Sequence, residues 1–340
     1  MWQWLLISLL VVTTHSFAGV PPSSRGPTSD EEAALLWKDG QKAYDLSNYS
    51  EAIQNLQRLV DRYPGKPGYL QAHYLLGHSL VKSGDTKHAI EPLRYFIAAS
   101  SPADESWSAR LLLAQAYLDT GKFQEAKLTA LEIQNRINQK NLPAISPDFV
   151  IEAVLVRSAA LFGLKHFAEA AQLSQSAEGL LTPQSSAALT GKTLLHGLKM
   201  KTFQCSQLGS KGPLSEAQLR NQFDRRGSCL LEALLIFQRI AKAEDTLSLD
   251  TAEKELGLAF QTYRHACLSP PQASGVVRTP KQALQFRAEL GNSLFQDFKK
   301  VANRSQELLT SWKSSSSPIV QGSIQRLSMN LEHWTERGKE

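Results

Sequence analysis

Apolar and small residues recur along this chain three to four places apart, and no stretch alternates with the period of two that a half-buried strand requires. The expected fold is therefore all-α. Between Leu36 and Ala126 the pattern also repeats at long range. Gly40 is followed twelve residues later by Ala52, Gly77 by Ala89, and Ala114 by Ala126, with successive alanines 37 residues apart. Small residues let two helix backbones cross closely, where a large side chain would push them apart. A fixed period of this length predicts stacked helical hairpins. Gly84 and Gly121 fall between the two helices of their units, where a residue of positive φ ends a helix.

A fourth unit is looser. Ser158 and Ala170 stand at the two small places, Phe167 lies before the second, and Pro183 closes the unit after a longer linker. An unrelated hairpin is the alternative. Beyond Pro183 the long period fades and the helical one continues. Candidate helices are Ser185–Leu208, Ser215–Ala243, Asp250–Leu268, Pro280–Trp312 and Pro318–Arg337, with breaks at GSKGP, SPPQASG and SSSSP. The last two carry seams, Leu290, Leu294, Phe298, Val301, Leu308 and Trp312 on one and Val320, Ile324, Leu327, Leu331 and Trp334 on the other. A short serine turn makes them antiparallel neighbours that bury each other rather than a dimeric coiled coil.

The small residues, with Tyr49 and Phe123 three places before the second of them, resemble the tetratricopeptide repeat. That family has a unit of about 34 residues; the extra residues here fall in PGKPGY and SSPADE, between units. The resemblance implies a helical-hairpin solenoid over 30–183, three clear repeats and one degenerate, followed by a C-terminal helical module over 184–340. It also implies a concave groove lined by the first helix of each repeat. Carried over residue by residue, the groove residues are Trp37, Gln41, Tyr44, Tyr74, His78, Lys82, Gln115 and Leu118. Such a groove takes an extended or helical peptide through apolar anchors and polar contacts to its backbone. Trp37 and Gln41 replace the Lys and Asn of the family's carboxylate clamp, so a peptide C-terminus is not the expected ligand there. The stretch YPGKPGYLQAHYLLGHSLVKSGDTKHAIEPLRYFI further resembles repeats of exported bacterial envelope proteins, of the β-barrel-assembly lipoprotein and Tol–Pal-associated coordinator types. That likeness implies a protein or peptide partner in envelope assembly or maintenance.

The N-terminus agrees with export. Leu5–Val12 is an apolar run too short for the ~20 residues that span a bilayer. Ser16 and Ala18 provide small residues for cleavage, although no Lys or Arg precedes them. Residues 1–18 are thus expected to be a signal peptide cleaved near Ala18, with an uncleaved anchor second and a buried first helix third. No Cys lies near Ala18, so a lipid-anchor site is not expected. Residues 19–29 are a Pro- and Ser-rich tether, and Asp30 offers a cap to the first helix. The mature protein is expected in the periplasm or outside the cell, not as an integral membrane protein.

Charge divides the chain unevenly. Residues 184–340 hold 21 Lys and Arg against 14 Asp and Glu, while 1–183 hold 16 against 18. The C-terminal module is the basic one, with Lys199/Lys201, Arg225/Arg226 and Lys299/Lys300 as local concentrations. An anionic envelope component could meet that surface; a solvated mixed-charge surface explains it equally well. Nucleic acid is not an expected partner of an exported protein. Cys205, Cys229 and Cys267 make no metal-binding pair. Cys229 and Cys267 lie at similar distances from the turn between their helices, whereas Cys205 and Cys229 are offset by several turns. The spacing favours a Cys229–Cys267 disulfide with Cys205 free; three buried thiols are the alternative. No nucleophile, metal or phosphate-binding motif stands out, so no catalytic residue, metal or cofactor is expected. An envelope or cell-wall enzyme that uses the repeats only for docking is the competing reading.

Overall fold

The computed structural model describes residues 28–100, 104–137, 146–208, 214–273, 279–313 and 317–336. The expected signal peptide, its cleavage point and nearly all of the tether lie outside the described residues. Those residues form thirteen helices and no strand. The first eight are α1 Ser29–Asp45, α2 Tyr49–Arg62, α3 Tyr69–Lys82, α4 Thr86–Ala99, α5 Asp104–Asp119, α6 Phe123–Ile137, α7 Pro147–Gly163 and α8 Phe167–Gly179. Then come α9 Ala187–Gln207, α10 Glu216–Ala243, α11 Thr246–Leu268, α12 Pro280–Lys313 and α13 Pro318–Thr335.

Thr28, not Asp30, caps α1. Its hydroxyl accepts the Glu31 N–H at 3.3 Å while the Glu31 carboxylate accepts the Thr28 N–H at 2.7 Å. This reciprocal pair satisfies two donors that helix geometry leaves free. Asp30 stands in the first turn, where its charge faces the positive end of the helix.

The small residues sit where the repeat pattern places them. Ala52, Ala89, Ala126 and Ala170 are fully buried. A Cβ on Gly40 would lie 2.8 Å from Leu56 Cγ, and one on Gly77 would lie 2.5 Å from Leu93 Cγ. In the first two repeats the helices therefore meet backbone against side chain. At the corner between them Gly84 and Gly121 have φ of 86° and 75°. The equivalent corners of the first and fourth units adopt the same left-handed geometry at Ser47 and Lys165, with φ of 58° and 65°.

Consecutive helices pack throughout α1 to α9. The odd-numbered helices also touch one another in order, α1 on α3, α3 on α5, α5 on α7 and α7 on α9, and the even-numbered ones do not. The odd helices thus line the inside of the curve.

Helix α9 faces two ways. Leu189 packs with Ile151 and Val154, and Met200 with Leu161 and Ala170, against the repeats. Leu194, Leu198 and Cys205 enter the core shared with α10 to α13, whose centre is Phe237, Phe260, Tyr263, Phe295 and Phe298. In the last two helices Leu290, Leu294, Phe298, Val320, Ile324, Leu327 and Leu331 are buried, and at the far end of the α12 seam Leu309 lies deeper than Leu308. Helix α13 packs on α11 as well as α12. There Arg326 grips the Glu253 carboxylate through Nε at 2.9 Å and the second guanidinium nitrogen at 2.6 Å. Among the described residues, no helix beyond α9 packs extensively on α1 to α6.

The disulfide joins Cys205 to Cys229, with Cα atoms 5.5 Å apart, and Cys267 is the free thiol. The expected Cys229–Cys267 pair is corrected. Spacing measured from the turns assumed that helix ends align. Instead the first turns of α10 extend past the end of α9, where Arg220 bonds Ser293 of α12 at 2.7 Å. That overhang slides α10 until Cys205 opposes Cys229 and Lys201 reaches Glu232. Helix α11 also begins at Thr246, one turn earlier than the expected Asp250, which moves Cys267 away from Cys229. Burial pushes the Cys267 thiol up to about 12, so it is held protonated and inert.

Candidate functional site

The inner face of the first repeats gathers an aromatic cluster. Tyr44 at the end of α1 meets His78 on α3 edge-on, with ring centroids 5.2 Å apart. Tyr49, at the start of α2, stands 6.2 Å from Tyr44 and 6.5 Å from His78. Tyr74, one turn before His78, lies 6.3 Å from it and 5.1 Å from Phe96 of α4. Edge-to-face contacts of this kind hold rings in fixed orientation, because the positive rim of one ring meets the negative face of the other. Burial, with Lys82 adding to it, lowers the His78 pKa, so the imidazole is neutral near pH 7. Its Nδ1 is buried and has no partner among the described residues. Burial also raises the Tyr44 pKa, which keeps its hydroxyl protonated as a donor.

The structure brings together three of the eight residues expected in the groove, Tyr44, Tyr74 and His78, and adds Tyr49. Trp37 goes elsewhere. Its ring lies under the connector between α2 and α3, so close that a Cβ on Gly68 would be 2.7 Å from it. Gly68, at φ 83°, and the indole pack the first repeat onto the second. Gln41 and Lys82 are exposed, and Gln115 and Leu118 are half-buried further along the same face. Past them the face becomes charged. Burial raises the Asp119 carboxyl, opposed by the charge of Lys192 on α9, and Lys192 lies 3.9 Å from Glu152 of α7.

A second aromatic group was missed by sequence reasoning. His73 stacks on Tyr95 at 4.0 Å and meets Tyr69 edge-on at 4.8 Å. His73 and His78 are five residues apart on one helix, so they face different ways, and their spacing alone gave no reason to separate their roles.

One contact has the atoms of a catalytic pair. Ser158 Oγ lies 2.8 Å from His196 Nε2 and 2.6 Å from the Ala170 carbonyl oxygen. The hydroxyl has one proton, and the carbonyl can only accept it. His196 must then donate Nε2–H to the serine, the reverse of general-base activation. Ser158 is also fully buried. Among the described residues no group of three His, Cys, Asp or Glu is placed to hold a metal. No described helix is long and apolar enough to cross a membrane.

Residues 29–122 match the family YfiO, described as an outer membrane lipoprotein. No curated protein matches the chain. Among solved structures, MamA MSR-1 is 19% identical, over 63% of this chain and 97% of its own, with a TM-score of 0.38. A tetratricopeptide repeat protein from Parabacteroides merdae is 11% identical, over 88% and 99% of the two chains, with a TM-score of 0.39. The C-terminal part of a repeat-containing protein from Cytophaga hutchinsonii is 8% identical, over 87% and 95%, with a TM-score of 0.41. Overlays this loose do not define a shared function. The repeat geometry and the family match together show a tetratricopeptide-type protein whose N-terminal repeats resemble envelope proteins.

Proposed function

We propose that this tetratricopeptide-repeat chain is an exported, non-catalytic scaffold that captures an extended peptide segment of a partner protein in the cell envelope. The observation that carries the reading is the cluster of Tyr44, Tyr49, Tyr74 and His78 on the inner face, against which, among the described residues, no helix beyond α9 packs extensively. Rigid rings lose little entropy on binding and provide anchor contacts. Gln41 and Gln115, placed along the same face, would bond a peptide backbone that passes over the rings. The match to an outer membrane lipoprotein family supports an envelope location. The Cys205–Cys229 disulfide supports an oxidising compartment beyond the cytoplasm. We divide the protein into a repeat array over 30–183 that binds and a module over 184–340 that α9 joins to it.

The test is capture from crosslinked envelopes by the full chain and by Tyr44→Ala and His78→Ala variants whose melting curves match the parent. Loss of a recurrent envelope partner in both variants is the expected result. Capture that survives both but fails when Lys299 and Lys300 are reversed to Glu would move the site to the basic module.

A further inference from the structure

The aromatic contact of the first repeat recurs where the repeats end. Tyr44 stands four residues after Gly40, and Tyr49 three before Ala52. Phe162 and Phe167 hold the same two places beside Ser158 and Ala170. In each unit the two rings meet, with centroids 6.2 Å apart for the tyrosines and 5.3 Å for the phenylalanines. In each, a ring from the next odd-numbered helix closes a triad. His78 of α3 lies 5.2 and 6.5 Å from Tyr44 and Tyr49, and Phe203 of α9 lies 4.9 and 4.4 Å from Phe162 and Phe167. The second and third units have Val81 and Leu118 at the place of Tyr44, so neither can build the same triad.

The two triads differ in chemistry. The first carries two hydroxyls and an imidazole, whereas the rings of the second are carbon alone. Phe162 and Phe203 also line a cleft of about 420 Å³ between α9 and the neighbouring α11, with Leu230 of α10 beneath and Leu258 and Ala259 opposite. The Cys205–Cys229 and Lys201–Glu232 contacts fix the register of α9 on α10. That register sets Lys199 and Arg226 at opposite ends of the cleft with Phe203 between them. The acid on its wall, Glu255, accepts the Thr202 hydroxyl at 2.6 Å. The middle of the cleft is therefore apolar. Leu258 on its rim is 61% exposed, and Phe167 behind it is 37% exposed. Apolar surface left in water around a cleft marks a place where another chain packs.

We propose that this cleft is a second anchor point for the partner segment held by the first aromatic cluster, and that it takes an uncharged apolar side chain such as leucine, methionine or phenylalanine. The inference rests on the groove reading above and extends it from one anchor to two. Helices α1, α3, α5, α7 and α9 touch in order, so both triads lie along one row of helices, three repeat steps apart. Packed helix axes stand about 8–10 Å apart, which makes the span about 25–30 Å. A strand rises about 3.3 Å per residue, so about eight or nine extended residues cover it. Between the triads the row carries Lys82, Asp119 and the Lys192–Glu152 pair, a mixture of signs that suits polar residues in the stretch between anchors. Two anchors on one segment bind far more tightly than either alone, because the second engages at high local concentration.

Site-specific crosslinking of the full chain in its native host tests the two-anchor span. The photoreactive residue p-benzoylphenylalanine replaces Gln41, three residues before Tyr44, or Lys199, at one end of the cleft; both side chains are exposed. Both positions should crosslink one partner, and peptide sequencing should place the two sites in a single segment, about eight or nine residues apart. That segment, made as a peptide, should bind Leu258→Asp at least about tenfold more weakly than the parent, as expected on spoiling an anchor. Leu258 is exposed, so the variant should melt with the parent. A peptide with its cleft residue changed to serine should lose as much against the parent and nothing further against Leu258→Asp. Crosslinks from Gln41 alone would overturn this inference and leave the groove reading standing. Crosslinks from Lys199 alone, or from neither position, would overturn both. Two different partners, two distant segments, or parental affinity in Leu258→Asp would reject the cleft as the second anchor.

Discussion

Ser158 donates its hydroxyl proton to the carbonyl oxygen of Ala170 at 2.6 Å, across the crossing of α7 and α8. In the first two repeats the matching crossing is made by glycine against leucine. Here a hydroxyl binds the facing backbone and receives His196 on its other side. Ser158→Ala leaves both groups without their partner in a buried place. The expected loss is about 1–3 kcal/mol, read as a lower denaturation midpoint; an unchanged midpoint would show that the bond contributes nothing.

Stability should fall as the solution is acidified from neutral. Burial, with Lys199 and Lys192 adding to it, lowers His196 to about 4, against about 6.5 in the unfolded chain. Between those values the unfolded state takes up a proton that the folded state refuses. Stability from this group is fully present above about 6.5 and is lost as pH drops towards 4, by up to about 3 kcal/mol. His73 and His78, lowered chiefly by burial, act in the same direction. Asp119, raised by burial, acts in the opposite one. Melting temperatures of the parent and His196→Gln across this range should converge at low pH if the assignment holds.

Two glycine substitutions should move stability in opposite directions. Alanine gains about 1 kcal/mol over glycine in a helix interior. At Gly77 the new Cβ would be 2.5 Å from Leu93 Cγ, and overpacking of about 1–3 kcal/mol outweighs that gain. At Gly197 the nearest atom is 3.7 Å away, an ordinary contact. Gly77→Ala should melt below the parent and Gly197→Ala above it. The reverse order would reject the close-crossing role of Gly77.

Non-reducing peptide mapping should recover Cys205 joined to Cys229 and Cys267 as a thiol that reacts only after unfolding. The cross-link spans 24 residues. Removing it by Cys205→Ser with Cys229→Ser should cost about 2–4 kcal/mol, visible as a lower melting temperature. Recovery of Cys229 joined to Cys267 would reject the α9–α10 register.

Local pattern determined much of this molecule. The twelve-residue spacing of Gly40 and Ala52, and its recurrence, determined the hairpins, because only small residues permit that crossing. The resemblance to the tetratricopeptide repeat implied a place for Tyr44, Tyr74 and His78 on adjacent inner helices, and the structure finds their rings in contact. Five C-terminal helices followed from their apolar seams and proline and serine breaks, with ends shifted by a turn or less. Tertiary structure decided what depends on how helices slide and on what lies across from them. Trp37 could face the groove or its neighbour, and the close approach of Gly68 put it on the neighbour. The left-handed corners at Ser47 and Lys165 carry no glycine to announce them. Cys205 found Cys229 because α10 overhangs α9, and an overhang is set by packing on α12 far along the chain.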